Sequence, residues 1–197
     1  MAIIEGFRVQ NFRALRDVSL GRLSGQADGE PLTPFTVVIG KNGVGKSSLF
    51  DAFGFVADCL ASDVETACDM KQRGGFERLR SKGVVEPMRF EIYYREAPNE
   101  RPITYELSIN LDGSGRPFVE SELLKQRRKG QKHGRPYPFL RLDRGKGMVW
   151  AGEEAVEIEG EEDRTQAVVE LTDPRDRAGA DLQEEEERKS KLAQLLK

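Results

Sequence analysis

Residues 40–47, Gly40-Lys41-Asn42-Gly43-Val44-Gly45-Lys46-Ser47, form a complete phosphate-binding loop of the pattern GxxxxGK[ST]. No other feature constrains the fold as tightly, because the motif works only between a strand and a helix. Both neighbours are legible. Phe35-Thr36-Val37-Val38-Ile39 is short, apolar and β-branched, as a buried strand should be, and Ser48 to Leu60 carries a helical pattern. Glycines let such a loop curl its N–H groups toward one anion, and the following helix aims its positive end at the same point. Lys46 is placed to reach β- and γ-phosphates, and the Ser47 hydroxyl to ligate Mg²⁺. An α/β fold that holds a nucleoside triphosphate follows.

The rest of the chain reads as strands first and charge later. Ile3 to Phe12 is a strand, and a second short one lies near Val18-Ser19-Leu20. In the helix after the loop, Leu49, Phe53, Val56 and Leu60 form an apolar stripe that Phe50, Ala52 and Cys59 widen. Gly54 interrupts it, which close packing on a neighbouring strand would explain. Asp63 to Lys71 is a second helix candidate. The period then changes to two: Met88 to Tyr94 and Ile103 to Leu111 alternate, and Pro117 to Leu124, Tyr137 to Leu142 and Met148 to Ala151 extend an antiparallel meander. A domain of residues 1–152 is expected, followed by an acidic, partly helical tail of residues 153–197.

Charge is distributed unevenly behind a net value of −3. Lys125 to Lys146 holds nine Lys or Arg residues and one acid, densest in Lys125 to Arg135, a stretch suited to nucleic-acid phosphates. Residues 153–163 hold seven acids, and 184–187 are four glutamates. Glu184 with Arg188, Glu185 with Lys189 and Glu187 with Lys191 would support a solvated surface helix with a weak apolar edge of Leu192, Leu195 and Leu196. Two cysteines, Cys59 and Cys68, are too few for a disulfide framework, and the single His133 makes a zinc site improbable. No run approaches the ~18 apolar residues of a membrane span, and the start of the chain is not a signal peptide, so a cytoplasmic location is expected.

Two stretches together, Phe7-Arg8-Val9-Gln10-Asn11-Phe12-Arg13-Ala14-Leu15 and Val37 to Ala52, resemble the opening of the ABC-type ATPases of the RecF, SMC and Rad50 kind, including the OLD-like bacterial ATPases labelled "AAA family". The resemblance rests on the Asn11-Phe12-Arg13 element of the first strand and on the GxNGxGKS form of the loop, followed by Asp51-Ala52. It implies the N-terminal lobe of such an ATPase, with an antiparallel β-subdomain. It also implies ATP and Mg²⁺ as ligands, a phosphate cradle of Gly40, Gly43, Val44, Gly45, Lys46, Ser47 and Ser48, Asn42 on the γ-phosphate side, and Arg13 approaching the nucleotide. Asp51 is read as a structural helix residue.

Departures from the family pattern bear on activity. Hydrolysis there needs an apolar strand ending in Asp-Glu. Val168-Val169-Glu170-Leu171-Thr172-Asp173-Pro174 fails that test, being interrupted by Glu170 and ended by a proline. A signature sequence of the Ser-Gly-Gly type and the second lobe are not legible either, and His133 comes too early to serve as the family's switch. The expectation is an ATP-binding lobe that needs a dimer partner or another polypeptide to hydrolyse ATP, engaged in DNA repair or anti-phage defence. The alternatives are a non-hydrolysing nucleic-acid- or partner-binding module, or a truncated product without independent activity.

Overall fold

The computed structural model describes residues 2–26, 29–128, 130–131, 135–150, 168–171 and 180–196. Its frame is one sheet of eight strands in the order β2-β1-β3-β4-β5-β6-β7-β8, antiparallel at every pairing. The strands are β1 (Ile3–Phe12), β2 (Leu15–Gly21), β3 (Met88–Arg95), β4 (Ile103–Leu111), β5 (Pro117–Gln126), β6 (Tyr137–Asp143), β7 (Lys146–Trp150) and β8 (Val168–Leu171). The alternation read from the sequence sets their faces. In β3, Met88, Phe90, Ile92 and Tyr94 are buried while Arg89, Glu91 and Tyr93 point the other way. The Val168 stretch, unsuited to a catalytic strand, is the edge of this meander, paired with β7. His133 and residues 153–163 lie outside the described residues.

Helix α1 (Lys46–Ala61) crosses the apolar face of the sheet. Phe7 stacks on Phe53 with ring centroids 4.0 Å apart, and Phe12, Phe55 and Phe90 form an aromatic trio at 5.5–5.7 Å. The stripe differs from the expected one. Phe55 and Ala57 are fully buried because the helices Val64–Asp69 and Ala180–Leu195 cover α1 besides the sheet, whereas Phe50 on its first turns is 63% exposed. Helix α2 (Val64–Asp69) follows, capped by the Asp63 carboxylate on the Thr66 N–H at 2.7 Å. A 3₁₀ turn (Met70–Gln72) and the short α3 (Phe76–Leu79) return the chain to the sheet.

The tail does not stay solvated as expected. Helix α4 (Ala180–Leu195) packs against α1, and Leu192, with Leu196 just past the helix, is buried in the main core. Of the pairs expected along it, Glu187–Lys191 forms at 3.0 Å, while the side chains of Glu184 and Glu185 lie outside the described residues. Lys189 donates to Glu122 of β5 at 2.8 Å, and the Arg188 guanidinium lies 5.0 Å from the Phe139 ring centre. These contacts tie the helix to the sheet, where a partly buried pair is less screened by water than an exposed one.

The strand expected at Phe35 to Ile39 is also corrected. Residues 35–40 enter no ladder, and no described strand pairs with them. Phe35, Val37 and Ile39 are 84%, 61% and 90% exposed, and only Val38 packs on the core. The residue types suit a strand, but a strand needs a neighbour to pair its N–H and C=O groups.

Candidate nucleotide-binding site

The loop closes on α1 without a side-chain cap. Gly45, in the N-cap position, stands in the left-handed region at φ 101°, and no acid occupies the first turn. The positive end of a 16-residue helix is therefore left open to an anion. Gly43 is also left-handed, at φ 82°. A Cβ on Gly45 would come within 2.9 Å of Leu15 Cδ2 and 3.8 Å of Ala14 Cβ, so the β1–β2 turn abuts the loop.

Lys46 is the side chain that organises the loop. Its Nζ donates to the carbonyls of Gly40 at 2.7 Å and Lys41 at 2.8 Å, spanning the ring of backbone where a phosphate would sit. Asn42, Gly43, Val44 and Ser47 are exposed around it, and Ser48 is half-buried on the first turn of α1. An uncapped helix start, a lysine resting on replaceable carbonyls and an accessible Ser47 hydroxyl fit a triphosphate with its cation.

Arg13 lies in the adjoining turn. Its backbone is held in the left-handed region at φ 49°. The Arg13 N–H donates to the Leu79 carbonyl at 2.5 Å, the Ser81 hydroxyl to the Arg13 carbonyl at 2.8 Å, and the Ser81 N–H to the Asn11 carbonyl at 2.9 Å. The Arg13 side chain forms an ion pair with Asp51 of α1, Nε to Oδ2 at 2.7 Å. Asp51 also accepts from Arg73 Nε at 3.0 Å. Arg73, missed by sequence reasoning, is the most deeply buried charge of this region, its side chain only 1% exposed.

The basic stretch is elsewhere. The register Tyr94↔Ile4, Tyr94↔Ile103 and Ile103↔Gln126 puts the β5–β6 hairpin at the end of the sheet opposite the β1–β2 turn. At the usual rise per strand residue the separation is on the order of 25–30 Å. Part of its charge is engaged internally. Lys125 pairs with Glu106 across the strands, and the Arg128 guanidinium lies 5.3 Å from the Tyr137 ring centre. Lys129, Lys132 and Gly134 lie, like His133, outside the described residues. Among the described residues no group of three His, Cys, Asp or Glu side chains could hold a metal, and no helix is long and apolar enough to cross a membrane.

The family described as "AAA domain, putative AbiEii toxin, Type IV TA system" matches residues 35–192, from the approach to the phosphate loop through most of α4. No curated protein matches the chain, and no solved structure does. With most of its length covered by that match and the loop geometry as found, the chain belongs to this family of P-loop AAA domains, whose fold implies nucleotide binding.

Proposed function

We propose that the chain is the ATP-binding lobe of an ABC-type ATPase of the RecF, SMC and OLD kind. Its nucleotide-driven switching would act in anti-phage defence or DNA repair, and the toxin–antitoxin description of its family favours defence. One observation carries the nucleotide reading. Lys46 Nζ rests on the carbonyls of Gly40 and Lys41, over a helix start that has neither a capping side chain nor an acid. In the bound state Lys46 would release those carbonyls for β- and γ-phosphate oxygens, and the N–H groups from Gly43 to Ser48 would surround the same phosphates. Ser47 would ligate Mg²⁺, which supplies charge neutralisation on the phosphates when bound. Asn42 would face the γ-phosphate, and Arg13 would approach from β1.

Hydrolysis needs a carboxylate free to orient water. Asp51, the acid of α1 closest to the loop in sequence, is held between Arg13 and Arg73. Because Val168 to Asp173 also lacks the Asp-Glu ending of a catalytic strand, this reading assigns the catalytic carboxylate to another polypeptide or a second copy. The extended apolar stretch Phe35 to Ile39 gives such a partner a place to add strands. Nucleic-acid contact through Lys125 to Arg135 is a second, separable reading, since the hairpin and the loop occupy opposite ends of the sheet. Affinity for DNA that falls steeply with salt and ignores ATP would support that reading.

Lys46→Ala tests the nucleotide site. Losing two charge-assisted contacts to phosphate is expected to weaken ATP binding by at least about 100-fold, read by calorimetric titration. Unchanged affinity would refute the assignment.

A further inference from the structure

Asp51, Gly54 and Asp58 fall at i, i+3 and i+7 on α1 and so share one face. Arg73 crosses that face. Its Nε donates to Asp51 Oδ1 at 3.0 Å, while its Nη1 lies 2.6 Å from Asp58 Oδ2 and donates to the Ala67 carbonyl at 2.9 Å. Gly54 offers no side chain in between. The place of its missing Cβ is 3.6 Å from Arg73 Nη2 and 3.8 Å from Lys71 Nζ, so cations rather than a neighbouring strand border this glycine. Lys71 completes the row by donating to Asp58 at 2.9–3.0 Å. Two carboxylates serve three cations, and the far end of the row is Arg13.

A buried guanidinium is tolerated only when paired, and Arg73 is paired twice on one rigid helix. It therefore fixes Asp51 in place. The Arg13 backbone is fixed separately by Leu79 and Ser81. What remains free is the direction of the Arg13 side chain, which Asp51 sets by charge, while the Phe12 ring, 5.9 Å from the guanidinium carbon, is its other contact. The ion pair runs through Nε, 2.7 Å from Asp51 Oδ2 but outside hydrogen-bond geometry, and the terminal nitrogens, which fork onto phosphate, make no hydrogen bond to the described residues. We infer that Asp51 and Arg73 are positioning residues that aim Arg13 at the nucleotide, an inference that rests on the nucleotide reading above.

The full chain is titrated with Mg²⁺-ATP in wild type, Lys46→Ala, Arg13→Ala, Asp51→Asn, Arg73→Lys and the double variant Arg13→Ala/Asp51→Asn, with thermal melts run alongside. Arg13→Ala is expected to weaken binding about 10-fold, and Asp51→Asn about 3- to 10-fold. The double variant should bind no more weakly than Arg13→Ala alone, because Asp51 acts only through Arg13. Arg73→Lys, which keeps the charge but loses the fork, should fall between wild type and Asp51→Asn. A purely structural Asp51 would add its full loss in the Arg13→Ala background, and that additivity overturns the inference. So does wild-type or tighter binding in Asp51→Asn, the latter making Asp51 a competitor for Arg13. Wild-type affinity in Arg13→Ala also overturns it, yet leaves the phosphate loop standing if Lys46→Ala has lost binding.

Discussion

Single residues in this chain are governed by what faces them across the sheet or along α1. Asp58 illustrates it: burial works against its carboxylate, yet hydrogen bonds from Lys71 and Arg73 outweigh that and hold its pKa below the ordinary value. Glu91 is the opposite case. Burial, and then Glu106 directly opposite on β4, push its carboxyl above the ordinary 4.5, with Lys125 and Arg8 only partly compensating. A carboxyl raised in the fold supports folding while protonated. Its contribution is full below the ordinary value and is lost as pH climbs through the raised one. Glu91→Gln keeps the shape and removes the charge, so it should melt about 2–4 °C above wild type at pH 7, with the gap closing by pH 4. Calorimetric melts at the two pH values check this; an equal gap at both would assign the effect to packing.

At the scale of elements, α4 separates a decorative tail from a structural one. Leu192 is 1% exposed and belongs to the main core cluster. Leu192→Ala should cost about 2–4 kcal/mol, read from urea unfolding, where a solvated helix would lose a few tenths. The Lys189–Glu122 bond and the Tyr105 hydroxyl donating to the same carboxylate at 2.7 Å tie α4 to the sheet from the other side. Little of this was legible in the sequence. Four glutamates and a sparse leucine edge read as a surface helix, since the sequence does not reveal that α1 leaves a face uncovered for Leu192 and Leu196. The strands were legible, because their alternation of apolar and polar residues records a local property, the two faces of a pleat.

On the scale of the whole molecule, the largest unresolved demand is the apolar stretch before the loop. Phe35, Val37 and Ile39 project into solvent beside a cavity of about 920 Å³ lined by Ile4, Leu32, Phe50, Phe53 and Leu195 among others. Exposed apolar strand-formers outside any ladder are a template for association. The double substitution Val37→Lys/Ile39→Lys should leave the melting temperature within about 1 °C, since little packing is lost, while reducing self-association in light scattering. A drop of several degrees would mean that the stretch is packed in solution.

The sequence by itself determined the phosphate loop, the helix behind it and the strand order of the meander, because each depends on residues near one another in the chain. Glycines at Gly43 and Gly45, a lysine and a hydroxyl at fixed spacing leave few other uses. Only the tertiary structure decided what surrounds that loop. Arg73 and Arg13 are sixty residues apart in the chain, yet both close on Asp51. The same holds for Phe35 to Ile39, strand-like in composition yet unpaired. A strand is completed by hydrogen bonds to another segment, and a buried charge by a partner from elsewhere in the fold.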